Sequence, residues 1–377
     1  MSSRDKGVIF RMASDIYPLT PGGIGLHVVE LSKSLVRIGW KHLIFTIGPK
    51  ANLTLKFNGD LKLLYDSFYL SIRGNKIAPF LLLRLIKLLR KIDIDIIHVH
   101  SHLFYSSNVV AVLKKSYLDR PVIITCHGVW SQSLPINLQR IYMKTLGVFT
   151  LNSAEKVLCY TSEEKKILSK MGVCQSKIEV IPNGIDTDLF TPPKRRKTRN
   201  VILWIGRFVS GKRPDLAIKI LAGVRRKIPE ITLIMIGDGP LKESCVRLAK
   251  KLNVERSLKI ISFIPHRMMP RLYQMADVLL ITSITEGVPR VMLEAMSCEV
   301  PIVMSEISHL KTIISGCGVF FKKDEVISAI EQIEVLLSSD ELRYELGRNG
   351  RLKVVKKYSW NRYVKRIDEL YEKLLQE

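Results

Sequence analysis

Short apolar runs alternate with longer stretches of helical spacing along the whole chain. In the first half VIFRMAS, HLIFTIG, IDIIHVH, PVIITC, KVLCYT and KIEVIP read as strands. In the second half VILWIG, ITLIMIG, LKIISFI, DVLLITS and PIVMS do so. Such runs are apolar almost throughout, as strands buried on both faces are. Between them, residues 24–38, 103–116, 213–228, 240–252 and 267–276 are spaced as helices. Strands and helices taking turns predict parallel, doubly wound sheets, an α/β class.

The alternation breaks once. After IPNGIDTDLF comes TPPKRRKTRN (191–200), with two prolines and five basic residues, and a new strand starts at Val201. Proline beside a charge run marks a linker. The expected division is a first domain over 1–190, a linker over 191–200, a second domain over 201–358 and a final helix over 359–377. In that last segment, YSWNRYVKRIDELYEKLLQE, apolar and aromatic residues share one helical face. A short basic run such as KRRK in a linker is ordinarily just solvated, and no nucleic-acid partner is expected.

Composition narrows the setting. The chain has 377 residues, 47% of them apolar, enough for two cores of ordinary size. Lys and Arg number 59 against 35 acidic residues, a formal charge of +24. An excess of that size favours polyanions, whether phosphates, anionic lipid surfaces or nucleic acid. Cys126, Cys159, Cys174, Cys245, Cys298 and Cys317 show no metal-ligand or redox spacing, so free thiols in a reducing compartment are expected. The start, MSSRDKGVIF, has no signal-peptide pattern, and no uncharged apolar run is long enough to span a bilayer. A cytoplasmic protein is expected, with a peripheral place on the inner face of the membrane as its second setting.

Candidate chemistry gathers at predicted strand ends. Glu286 follows the strand DVLLI, and Glu294 lies on the helix read over Val288–Ser297. Both would face the carboxyl edge of a sheet, where open α/β sheets bind ligands. Arg207 and Lys212 lie in IGRFVSGKRPD, another loop between a strand and a helix. Fixed cations there suit a phosphate on which charge develops. Gly22 and Gly23 precede a helix whose N-terminus would point at a ligand, and Gly237 follows a strand in IGDGP. Gly287 and Val288, next to Glu286, would present backbone N–H groups at a helix start. His98, His100 and His127 end strands of the first half, but no carboxylate or cysteine completes a zinc set. Each of these residues taken alone is more often structural or solvated than functional.

The segment EGVPRVMLEAMSCEVPIVMS, with IGRFVSGKRPD before it, resembles the nucleotide-sugar signature of retaining glycosyltransferases of the GT-B fold, in particular family 4. The resemblance runs over nearly the whole chain, most closely at 205–215 and 277–304. It implies two doubly wound Rossmann-like domains facing a central cleft, with the final helix crossing back onto the first domain. It further implies an enzyme that moves a sugar from an NDP-sugar donor to a hydroxyl acceptor, lipid-linked or glycan, with retained configuration. Arg207 and Lys212 would stabilise the departing diphosphate, Glu286 would orient the sugar, and His127 would contact a sugar hydroxyl. Glu294 would hold the ribose, with Gly22, Gly23, Gly237, Gly287 and Val288 lining the donor. Two departures touch donor contacts: Glu299 stands where glycine is usual, and SEISHLKTII replaces a glycine-rich segment.

No metal or other cofactor is expected. Asp93-x-Asp95 and Asp186-x-Asp188 look like the metal motif of the other glycosyltransferase fold, without its setting. The stretch PFLLLRLIKLLRK (79–91) is both apolar and basic, which suits an anionic membrane surface and equally an ordinary helix packed on a sheet. An NDP-sugar epimerase of the same fold would need no acceptor. A non-catalytic basic scaffold would not need Arg207, Lys212, Glu286 and Glu294.

Overall fold

The computed structural model describes residues 6–17, 22–48, 60–66, 69–72, 75–132, 134–194 and 199–377. Among them lie the strands β1 (Gly7–Met12), β2 (Trp40–Ile47), β3 (Leu61–Asp66), β4 (Leu70–Ile72), β5 (Asn75–Ile77), β6 (Ile96–His100), β7 (Val122–Thr125), β8 (Lys156–Cys159) and β9 (Ile178–Val180). After them come β10 (Val201–Ile205), β11 (Thr232–Ile236), β12 (Leu258–Ile261), β13 (Val278–Ile281), β14 (Ile302–Ser305) and β15 (Gly318–Phe321). The chain divides into two units, Met1–Pro182 with Tyr363–Glu377, and Asn183–Arg362.

The first unit is built on a parallel sheet in the order β3-β2-β1-β6-β7-β8-β9. Its two faces differ. Phe10, Met12, Ile97, Val99 and Ile124 belong to one buried apolar core. The alternate residues form a polar face. Arg11 is in register with His98, and His100 with Thr125. The helix Trp360–Gln376 supplies the cover from Tyr363 onward: Trp40 Nε1 donates to Asp368 at 2.7 Å, and Arg11 Nη2 to the Tyr371 hydroxyl at 2.9 Å. The second unit has the order β12-β11-β10-β13-β14-β15, all parallel, over its own core of Ile202, Leu233, Val278, Val303 and their neighbours. β10 and β13 lie at its centre, where connections leave in opposite directions and open the carboxyl edge to a ligand.

Several element limits differ from the sequence reading. The helix expected over Val288–Ser297 is Arg290–Ser297, because the residue before Pro289 is kept out of the helical region and proline itself serves as N-cap. The helix read over 267–276 is a tight turn, His266–Met268, followed by Met269–Tyr273. β3, the β4–β5 hairpin and β15 add strands that the apolar runs did not reveal. β3 and β15 close the edges of their sheets, where less burial is needed. Glu299 has φ 60°, a left-handed conformation that glycine adopts without cost, which accounts physically for the glycine usual at this place. All six cysteines are free, and all but Cys174 are buried.

Candidate functional site

In the second unit the two loops singled out by sequence meet. The β13 loop is tied to the β10 loop by its backbone, with Ile284 N–H donating to Gly211 O at 2.8 Å. Thr282 Oγ1 reinforces this, 2.7 Å from Lys212 O and 2.9 Å from Arg213 O, while accepting from Trp204 Nε1 at 3.0 Å. The result brings the Lys212 ammonium onto Glu286 Oε1, which also accepts from Ser283 Oγ at 2.6 Å. Glu286 is buried and Lys212 half-buried, so the pair is a fixed element. Arg207, in the same loop, is exposed, and no side-chain hydrogen bond or ion pair holds it among the described residues. One anchored and one loose cation at the carboxyl edge make a site suited to an anion.

Gly237 closes this loop cluster. Its φ is +140°, and an added Cβ would stand 2.0 Å from Gly206 O. The β11 loop therefore lies directly on the backbone of the β10 loop, a proximity only glycine permits. Gly287 accepts from His309 Nε2 at 3.2 Å through its carbonyl. His309 belongs to the segment in which the chain departs from the usual glycine-rich pattern. Val288 is buried beside Pro289, and that N-cap gives the helix Arg290–Ser297 no side-chain cap. The positive end of a short dipole is thereby left to other partners.

Glu294 is held in a cage that sequence reading missed. Its Oε1 faces His266 Nε2 at 3.0 Å, and its Oε2 accepts from the Tyr273 hydroxyl at 2.7 Å. Phe190 packs against both rings, with centroids 5.2 Å from His266 and 5.8 Å from Tyr273. Burial works to raise the Glu294 carboxyl, but the His266 bond and charge, Arg290 and Tyr273 outweigh it and hold it below the usual value. A carboxylate has about four acceptor positions, so these two bonds leave capacity for ligand hydroxyls. His266 and Tyr273 carried no motif, and their role comes from packing alone.

In the first unit His127 does not stand alone. Its Nε2 lies 3.0 Å from His100 Nδ1, and its Nδ1 lies 2.8 Å from the Tyr160 hydroxyl. Both ring nitrogens of His127 are thus engaged within the unit. The backbone of Tyr160 is held, since its N–H donates to Glu164 Oε2 at 2.8 Å within the capping box that starts the helix Ser162–Lys170. His27, on the helix Gly23–Val36, packs edge-on against His127 at 5.2 Å and lies 3.0 Å from the Tyr363 hydroxyl. The glycine loop thus reaches the histidine cluster through a residue not foreseen.

Gly22 and Gly23 are exposed where that helix opens, and a Cβ on Gly22 would meet nothing within 4 Å. The glycine that the fold demands is Gly25, whose Cβ would stand 2.8 Å from Tyr17 N. Pro21 of the same segment lies outside the described residues, as do Arg195–Lys197 of the linker run. In the two DxD pairs, Asp93, Asp95 and Asp186 have partners of their own. Asp93 pairs with Arg120 at 3.0 Å, and Asp95 Oδ2 accepts from Val8 N–H at 2.7 Å. Asp186 Oδ1 accepts from the N–H groups of Asp188 and Leu189 at 3.0 and 2.9 Å.

The basic apolar stretch forms the helix Leu81–Leu89, with Leu81 and Leu85 in the core. Arg84 pairs with buried Asp66, and Arg90 Nε donates to the Tyr117 hydroxyl at 3.1 Å. Its main apolar side faces inward. A more exposed apolar surface lies at Leu134, Ile136, Leu138, Ile141, Leu146 and Phe149, with Arg140 and Lys144 among them. Among the described residues, no helix is long and apolar enough to cross a membrane.

The family model of glycosyl transferases group 1 matches residues 186–353, and that of glycosyltransferase family 4 matches residues 21–189. The phosphatidylinositol N-acetylglucosaminyltransferase GPI3 subunit of Saccharomyces cerevisiae is 24% identical over 383 residues, covering 97% of this chain and 83% of the relative. The UDP-Gal:alpha-D-GlcNAc-diphosphoundecaprenol alpha-1,3-galactosyltransferase of Escherichia coli is 24% identical over 310 residues, 77% of this chain and 78% of the relative. Among solved structures, sucrose-phosphate synthase of Thermosynechococcus elongatus shares the fold, with TM-score 0.82 at 19% identity over 98% of this chain and 99% of the other. With its two halves matched between residues 21 and 353, the chain belongs to the group 1 glycosyltransferases of the GT-B fold, enzymes that transfer a sugar to an acceptor.

Proposed function

We propose that the enzyme takes an NDP-sugar as donor, without a metal ion, and transfers the sugar with retention to a hydroxyl of a lipid-linked acceptor. The observation that carries this reading is the pairing of Lys212 with Glu286 at the carboxyl edge, with Arg207 loose in the same loop. The bond from the anomeric carbon to the diphosphate oxygen breaks while the acceptor oxygen bonds to the same face of that carbon. The acceptor proton passes to the departing phosphate oxygen. Arg207 and Lys212 take up the charge that develops there, since preorganised cations stabilise such a state more than water does. Glu286, anchored by Lys212 and Ser283, holds a sugar hydroxyl. Glu294 accepts the ribose hydroxyls, and His127 contacts the sugar.

A thermal-shift screen against UDP-, GDP- and ADP-sugars, with and without EDTA, tests the donor. Stabilisation by one NDP-sugar that persists in EDTA is expected, because binding to the native state raises stability by mass action. No shift with any of them would defeat the donor assignment, and a shift abolished by EDTA the metal-free one.

The lipid-linked acceptor is favoured by the charge of +24 and by the exposed surface over Leu134–Phe149. The names of the relatives point the same way, one to phosphatidylinositol and one to diphosphoundecaprenol. A cytoplasmic enzyme resting on the inner face of the membrane follows, with 79–91 contributing charge rather than its main apolar face. Co-sedimentation with anionic vesicles at low salt, lost in Leu138→Glu/Ile141→Glu, is the expected result. Equal binding by the variant would return the contact to 79–91.

A further inference from the structure

Arg11 sits fully buried at the centre of the first unit's polar face, and no carboxylate pairs with it among the described residues. Its polar contacts are His98 Nδ1 at 3.4 Å, His100 Nε2 at 3.1 Å and the Tyr371 hydroxyl at 2.9 Å. A guanidinium only donates. His98 Nδ1 and His100 Nε2 must therefore each present a lone pair. The remaining proton of His100 is on Nδ1, and it points at His127 Nε2, 3.0 Å away. His127 Nε2 must accept, so the proton of His127 lies on Nδ1 and is donated to the Tyr160 oxygen at 2.8 Å. The branch through His98 runs in the same sense. Its proton lies on Nε2 and is donated to Thr125 Oγ1 at 2.7 Å, while Tyr371 accepts from Arg11 and donates to His98 Nδ1, whose single lone pair it shares with the longer Arg11 contact.

The same bookkeeping excludes a charged His127. An imidazolium there would turn an N–H toward His100 Nδ1, which would then need a lone pair. His100 already spends its other lone pair on Arg11, and a ring without a proton does not exist at neutral pH. Burial, reinforced by neighbouring charge that includes Arg11, pushes the His98 and His100 rings well below the ordinary imidazole value, in keeping with one proton on each.

We propose that Arg11 is a positioning residue for sugar transfer: acting through His100, it fixes His127 as a neutral ring that donates from Nδ1. His127 is then a hydrogen-bond donor to a substrate oxygen, in the place that Tyr160 oxygen takes here, and it cannot remove the acceptor's proton. This rests on the reading that places His127 against the sugar.

The test is a long-range ¹H–¹⁵N correlation spectrum of histidine-labelled full-length protein, with kinetics of three variants. His127 is expected wholly as the Nδ1–H tautomer, His100 as Nδ1–H and His98 as Nε2–H. Arg11→Met should release His127 into a mixture of tautomers and lower kcat about tenfold with KM little changed, the scale of one well-placed hydrogen bond. Arg11→Lys should retain the wild-type pattern, since an ammonium also only donates. A proton on His127 Nε2 in the wild-type protein overturns the proposal, and that spectrum decides even where Arg11→Met does not fold. Unchanged tautomers and turnover in a folded Arg11→Met do the same. Full activity in His127→Ala would instead overturn the placement of His127, a failure told apart because the wild-type tautomer pattern would still stand.

Discussion

The site loops of the second unit and the polar face of the first hold buried charge in opposite ways. In the second unit each buried charge at the site has a partner of opposite sign or a charge-assisted bond: Lys212 with Glu286, Glu294 with His266 and Arg290. In the first unit Arg11 is surrounded by neutral rings and hydroxyls. Paired charge gives fixed, local electrostatics ready for an anion. An isolated buried cation costs several kcal/mol of desolvation, and what it gives in return is direction, because each neutral neighbour must arrange its proton to accept. One unit is built to meet charge and the other to orient protons.

Acid separates the two most strongly. His42, His98 and His100 are held well below the ordinary imidazole value by burial and by charge that includes Arg11, and burial lowers His102 to about 4. Below the unfolded value of about 6.5 the unfolded chain takes up protons that the native rings refuse. The native unit therefore loses up to about 1.4 kcal/mol per pH unit for each such ring as pH falls. Glu294, whose carboxyl is lowered, contributes stability above the ordinary carboxylate pKa and loses it only as pH falls through its own lower value. Hydrogen exchange read unit by unit between pH 7 and pH 5 should show the first unit weakening well before the second. Equal weakening of both would erase the distinction.

Lys212→Ala comes next. It leaves the Glu286 carboxylate buried without its cation and should cost roughly 3 kcal/mol in urea unfolding of the second unit, together with turnover. A loss below about 0.5 kcal/mol, the range of ordinary surface changes, would show that the pair is not structural. The smallest stability effect belongs to Arg207→Ala, at an exposed and unengaged side chain: within about 0.5 kcal/mol, with turnover down ~10²-fold or more. Unchanged turnover would remove Arg207 from the chemistry.

The contrast also explains what could be read from sequence. The site loops of the second unit were legible because their residues lie in two contiguous stretches, each following a recognisable strand. The cage of Glu294 was not, since His266 and Tyr273 come from a turn and a short helix that no motif marks. The polar face of the first unit was hidden more deeply. Arg11 stands inside the apolar-looking run VIFRM, and its Tyr371 partner lies 360 positions away. Only register, which brings Arg11 beside His98, turns these scattered residues into one network. Strand alternation was read as burial, but at Arg11, His98 and His100 it is two kinds of burial, one on each face.

Because Tyr363–Glu377 complete a unit whose other residues end at Pro182, the order of folding during synthesis is constrained. The second unit is whole as soon as Arg362 has left the ribosome, whereas the first must wait for the helix that carries Asp368 and Tyr371. At ~5–20 residues per second this wait is on the order of ten seconds or more. Throughout it Trp40, Arg11, His27 and His98 lack their partners on that helix. The half of the chain made first is finished last, and a growing chain of this enzyme presents a ready client for chaperones until its final helix arrives.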